Sequence, residues 1–427
     1  MQRSLAYALS PAPGLPLRFL LAAPWFGVLA ALVLFAAGER AFASRWSAPT
    51  LGATHLLTLG YLSMAMAGSI LQLIPVVTGV ALPVSRAAAA VAWGGLALGA
   101  LLLAAALAFS AAILFMPAAL LLAGALAIVI GAVAPALARR TPAPAMPMVR
   151  GMRLAVCGLV VTVLLGVVLA FPLAGALAAP LLLLADLHAA WGLLGWVAML
   201  VVGVAFQVIP MFHSSRIYPA ILTRWGPWVL AALLIAWSAA TVAGAALASI
   251  AAALLGVALA GFAAFTAWLL TTRKRKEPDA TTLYWRLSLG SLAAGALLYL
   301  PLALPQGQAQ APLVIGIVFI GGFAISSVNG MLYKIVPFLL WYHLQHDPQS
   351  RKGEVPSIRT ILPDALARRQ FWWHAAALAA LLGAVYWPGY LARPACALLA
   401  LSSSLLGLDL WRAAAGCRNI KSRFQPS

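Results

Sequence analysis

Residues 60–75 read GYLSMAMAGSILQLIP, and the same pattern returns as GWVAMLVVGVAFQVIP at 195–210 and GFAISSVNGMLYKIVP at 322–337. Each stretch opens on a glycine followed by an aromatic residue (Gly60, Gly195, Gly322) and carries a second glycine eight positions on (Gly68, Gly203, Gly330). Gln or Lys follows four residues later, and proline three after that (Pro75, Pro210, Pro337). The prolines stand 135 and 127 residues apart, room for four helices in each interval. A motif that recurs at fixed spacing is a statement about architecture before it is one about any single residue. On a helix, Gly60, Met64, Gly68 and Gln72 form one ridge, as do Gly195, Met199, Gly203 and Gln207, and Gly322, Ser326, Gly330 and Lys334. Small residues four or eight apart let neighbouring backbones approach closely, which is how helices associate in lipid. The three motif helices are therefore expected to be the inner ones, each ended or kinked by its proline.

Around these stretches the chain is too apolar for water. Of its 427 residues, 64% are hydrophobic and 8% charged, with a mean hydropathy of +1.01. A soluble domain carries roughly 25% charged residues. Apolar segments of spanning length fall at about 17–37, 50–74, 87–108, 110–137, 153–178, 186–211, 225–246, 248–271, 284–304, 312–341, 371–391 and 394–411. The expected fold is all-α: a polytopic membrane bundle of about twelve transmembrane helices in three four-helix pseudo-repeats, about 17–137, 153–271 and 284–411. The first segment precedes Ala41-Phe42-Ala43, which resembles a cleavage site, but its apolar run is longer than a signal peptide's, so it is read as a retained helix. A loop over 345–370 and a basic tail over 412–427 complete a single integral membrane domain.

The net charge of +19 is topological. Of 27 Lys and Arg, 23 fall in alternate loops or at the termini, whereas the opposite loops hold only Arg40, Arg45 and Arg393. The remaining one, Lys334, lies within the third motif. That asymmetry places both termini in the cytoplasm and the chain in a bacterial inner membrane, with lipid as its surroundings. No basic patch with interleaved aromatics points to nucleic acid. Cys157, Cys396 and Cys417 form no CxxC pair and imply no disulfide framework.

Four-helix units repeated three times, with a Gly-aromatic start and a proline end on helices 2, 6 and 10, resemble the haem-copper oxidase subunit I superfamily. The run HLLTLGYLSMAMAGSILQLIPVVTG from His55 also looks like the NnrS family, twelve-helix proteins implicated in nitric-oxide stress and reported to bind haem and copper. The resemblance implies a haem-ligand histidine on helix 2, and His55 stands there, 20 residues before Pro75. It implies a copper-ligand histidine on helix 6, matched by His188, 22 residues before Pro210. It also implies a histidine pair on helix 10, where this chain has Ile315 and Ile317, and two more histidines on helix 7, which has none. An oxygen-reducing site cannot be assembled from this set. The resemblance thus implies a non-respiratory relative, not an enzyme of that class, which binds haem or copper and serves nitric-oxide or metal homeostasis, beside an oxidase- or denitrification-related membrane partner. A small-molecule or metal transporter and an assembly scaffold working through the 345–370 loop are the alternatives.

Six histidines are available. His55 and His188 lie at the same end of two inner helices and either ligate iron or copper or hydrogen-bond a neighbouring helix. Met64 and Met199 are packing residues or soft copper ligands. Asp186, two residues before His188, points to nearly the opposite helix face and reads as a helix N-terminal acid or an entry-side charge on a pathway. Lys334 is a pathway charge or snorkels to the interface. His213, His343 and His346, just beyond Pro210 and Pro337, form a possible second, cytoplasmic site or a solvated interface. His374, in FWWH, reads as part of an aromatic belt.

Overall fold

The computed structural model describes residues 6–274, 278–299, 310–346 and 355–424, the side chains of 421–424 excepted. Among these residues every regular element is helical. The long helices are α1 (Gly14–Phe42), α2 (Ala48–Thr78), α3 (Arg86–Ala108), α4 (Ala112–Ala138), α5 (Ala143–Leu173) and α6 (Leu181–His213). They continue as α7 (Ala220–Val242), α8 (Leu247–Thr271), α9 (Ala280–Tyr299), α10 (Ala311–Gln345), α11 (Asp364–Tyr386) and α12 (Pro388–Phe424).

Ten of them, all but α9 and α11, are long and apolar enough to cross a membrane, which takes about 20 residues. The two exceptions pack in the same bundle but spend their length on polar residues turned inward. Thr281, Thr282, Ser288 and Ser291 are buried on α9, and Gln370 and His374 on α11. Residues 300–304, the end of the segment expected at 284–304, lie outside the described residues. The expected loop over 345–370 is helical from Asp364 onward, and the expected tail continues α12 to Phe424, because WRAAAGCRNIKSRF contains no proline and a single glycine.

Burial sorts the helices. In the most apolar window of α2 and of α6, 72% of residues are buried, and in α10 56%; the other seven candidate spans run from 17% to 50%. The motif helices are thus the innermost, and the outer ones present Leu, Val and Ile outward. α12 packs on both α11 and α1, so the two ends of the chain close on each other.

The glycines of the motif do the same thing three times: each inner helix is crossed closely by the helix just before it. A Cβ on Gly68 would meet Phe19 and Leu20 of α1 at 2.9 Å, one on Gly203 the backbone of Gly151 on α5 at 2.7 Å, and one on Gly330 the Tyr284 side chain of α9 at 2.8 Å. The prolines, by contrast, do not end their helices. α2 runs on from Pro75 to Thr78 and stops at Gly79, whose φ is 71°; α6 runs on to His213 and stops at Ser214, φ 50°; α10 runs on to Gln345. A change of backbone hand, which glycine adopts without a Cβ penalty, stops the first of these more effectively than the missing N–H of proline.

A feature with no residue signature is also repeated. α2 is π-helical over Leu56–Ser63, α6 over Trp191–Ala198 and α10 over Ile317–Ile325. All three stretches end three residues after the first motif glycine. π-helical turns are rare and concentrate at functional sites. Here they separate the half of each inner helix that precedes the motif from the half that runs to its proline. These ends of the bundle are called the histidine end and the proline end below.

Candidate functional site

At the histidine end the inner helices stand apart around a cavity of about 690 Å³. His55 and His188 both line it, and their ring centres are 6.3 Å apart with planes inclined by 18°. Each imidazole is held the same way. Nδ1 of His55 lies 2.8 Å from the Leu51 carbonyl, and Nδ1 of His188 lies 3.1 Å from the Thr162 carbonyl on α5. A carbonyl only accepts, so Nδ1 carries the proton in both rings and Nε2 keeps its lone pair. A backbone carbonyl on the far nitrogen is the usual support of a metal-ligating histidine. Gly166 makes the room for His188: a Cβ there would stand 3.1 Å from the ring's Cε1.

The rest of the wall is mostly apolar, and it includes Ile317, one of the two isoleucines at positions where the resemblance implies histidine. Ile315 is not part of it. Asp186 and Arg45 also line the cavity and pair at 2.9 Å, with both side chains about two-fifths exposed. Arg45 stacks over Trp46 as well. Asp186 is therefore a charge at the mouth rather than a partner for His188.

The structure corrects the reading of His374. It does not face an interface but is buried, lines the same cavity, and its Nε2 lies 2.8 Å from the Ser326 hydroxyl. Helical spacing explains the error: Trp372 and Trp373 of FWWH face outward at 65% and 39% exposure, which turns the next residue in. Met64 and Met199 are buried in the core and do not line the cavity, so they pack.

At the proline end the side chains cluster differently from the expected histidine group. His213 Nδ1 lies 3.2 Å from the Thr282 hydroxyl. That hydroxyl and the Thr282 N–H both donate to Asp279, and Lys334 pairs with the same carboxylate at 2.8 Å. His343 and His346 instead pack against Tyr342 of their own helix, and His346 is exposed. Among the described residues no group of three His, Cys, Asp or Glu side chains stands close enough to hold a metal.

Burial pushes the Asp279 carboxyl up, but the Lys334 ammonium and the two Thr282 bonds outweigh it and bring it down to about 2 from its usual 3.8. A folded-state value below the unfolded one stabilises the fold above pH 3.8, and that contribution is lost as pH falls toward 2. Asp279→Asn is expected to lower stability by about 1–3 kcal/mol at neutral pH, read as a reduced thermal midpoint of the purified protein. The deficit should shrink in acid; an unchanged midpoint at pH 7 would show that the cluster is ornamental.

Several residues of these clusters carry weak signals in the sequence. Asp409, in GLDLW, is an acid inside an apolar run, which marks an intramembrane site. It accepts from the Tyr333 hydroxyl at 3.0 Å and pairs with Arg369 at 3.2 Å. Tyr61 donates to Asn329, and Trp196 to Ser63, tying α2 to the other inner helices. Comparison with protein families and with curated proteins finds no match to this chain.

Proposed function

We propose that this chain is a haem-binding membrane protein, with His55 and His188 as the two ligands of one iron, acting in nitric-oxide or metal homeostasis rather than in respiration. The arrangement of the two imidazoles carries the reading. The two ring centres stand 6.3 Å apart on the wall of one cavity, so His55 and His188 together would hold the group. Both rings keep Nε2 free, both are fixed through Nδ1, and both sit on rigid inner helices.

The volume separates haem from a bare copper ion. An ion held by protein alone wants three or four ligands in a tight shell, and Met64 and Met199 are not in reach of the cavity. A wide, apolar cavity with two imidazoles suits a flat macrocycle that brings four ligands of its own. Haem there would supply an iron that takes up or gives up an electron. The protein's own part is to hold two neutral imidazoles, exclude water with apolar walls, and keep a charge pair, Arg45–Asp186, at the entrance.

The proposed architecture is twelve spans in three four-helix units related to haem-copper oxidase subunit I and NnrS, with α9 and α11 completing the count. Both termini would face the cytoplasm and the cavity would open to the periplasm of a bacterial inner membrane. The matching glycine crossings and the three π-helical stretches support this. The test is direct: the protein is purified from haem-replete cells, haem is quantified by absorbance and copper by elemental analysis. About one haem per chain is expected. A colourless, metal-free protein that also fails to take up added haemin sinks the reading, and the same outer cavity would then favour a small-molecule transporter.

A further inference from the structure

We infer that the axis between the three inner helices contains a second site, a dry chamber that takes one small, neutral, apolar molecule of about diatomic size. A cavity of about 60 Å³ lies there. Its walls come from equivalent positions on all three helices. Ala65, Leu200 and Ser327 stand five residues after the first motif glycine, and Ser69, Val204 and Met331 nine after it. A chamber walled at one register by three different sequences is built by the packing of the bundle.

Its chemistry follows from what the walls lack. No charged side chain lines it. The Ser327 hydroxyl is already engaged, donating to the Ala324 carbonyl at 2.9 Å. The buried indole N–H of Trp285, also in the wall, has no hydrogen-bond partner. A volume of this size would hold roughly four waters, each wanting two to four polar partners. The walls present almost no polar surface to the chamber, so filling with water is unfavourable. Apolar cavities of this kind stay dry and accept guests such as xenon. A diatomic molecule fits, held by contacts with the apolar walls.

The chamber's position gives it a use. Ser63 and Ile325 line the histidine cavity, while Ala65 and Ser327, two residues further on, line the chamber. One layer of side chains separates the two. Toward the prolines, the N-terminal turn Tyr7–Leu9 bridges α10 and α2: Tyr7 packs on Phe338 and Tyr342, and Ser10 accepts from Gln72 at 2.6 Å. A small guest in the chamber would thus be stored one step from the histidines. The inference does not depend on what those histidines hold.

Xenon tests it. Crystals of the full chain pressurised with xenon should show one anomalous peak between α2, α6 and α10, flanked by Ala65, Leu200 and Ser327. Ala65→Leu fills the space and should reduce the peak below detection. Met331→Ala enlarges the chamber and should raise its occupancy, which keeps the test decisive if the leucine variant fails to fold. An empty chamber under xenon in folded protein, or one filled with ordered water or a lipid or detergent chain, overturns the inference.

Discussion

His55→Ala and His188→Ala are each expected to reduce bound haem from about one per chain to a small fraction, read as loss of the haem absorbance of the purified protein. The reason is symmetry of support. Neither imidazole has a stand-in: the third inner helix offers Ile317 at the cavity wall, and His374, the one other histidine there, is committed to Ser326. His374→Phe should therefore cost stability through the lost buried hydrogen bond, about 1–3 kcal/mol, while leaving the spectrum in place. A subtler variant separates ligation from folding. Gly166→Val leaves both ligands intact but puts side-chain atoms where the His188 ring stands, 3.1 Å from the nearest Cβ position. Disturbing the support of a metal-ligating histidine costs about 10–100-fold in affinity. Equal haem affinity in the wild type and both alanine variants would remove His55 and His188 from the site.

The inner helices and the histidine pair were legible because both depend on local spacing. Glycine at every fourth or eighth position marks close crossings, and His55 and His188 stand at nearly the same distance from their prolines. The rest depends on partners far away in the chain or on backbone geometry. Arg45 and Asp186 are 141 residues apart, and nothing local in either links them. His374 follows two tryptophans that do face outward, so its neighbours describe an interface while its own side of α11 faces the cavity. The π-helical stretches have no shared composition: LLTLGYLS, WGLLGWVA and IVFIGGFAI have only the motif glycine and its aromatic neighbour in common. α9 and α11 are expected as spans at 284–304 and 371–391, but the partners of their inward polar residues lie far off in the chain. Gln370 donates to Ser402 on α12 and accepts from Tyr284 on α9.

Those repeated stretches also bear on why the site sits where it does. A π-helical turn accommodates an extra residue and shifts the face that later side chains present. In α2 and α6 the histidine lies just before the π-helical stretch, and the glycine ridge that packs the bundle lies within and after it. The same helix can then hold a ligand toward an open cavity at one end and pack tightly at the other. In α10 the stretch is kept although this helix has no histidine before it, which ties it to the bundle's geometry.

A large effect on folding is expected at Gly203. A Cβ there would stand 2.7 Å from the Gly151 Cα, 3.1 Å from its carbonyl carbon and 3.3 Å from the Met152 nitrogen. All three are backbone atoms, so no side chain can rotate away and α5 and α6 must separate. In water, overpacking costs about 1–3 kcal/mol; between membrane helices the close approach itself is the main attraction, so the loss compounds along the crossing. One turn or two away, Gly158 meets Gly195 in the same fashion, and just beyond it the Thr162 carbonyl holds His188. Gly203→Val should therefore lower the thermal midpoint strongly and, through the splayed α5, weaken haem binding as well. Gly131 is the control: nothing lies within 4 Å of its Cβ position, and alanine there removes the helix penalty of glycine, about 1 kcal/mol. Gly131→Ala should match or exceed the wild type in stability. If Gly203→Val melts with the wild type, α5 and α6 do not cross at these glycines, and the packing role assigned to the motif is wrong.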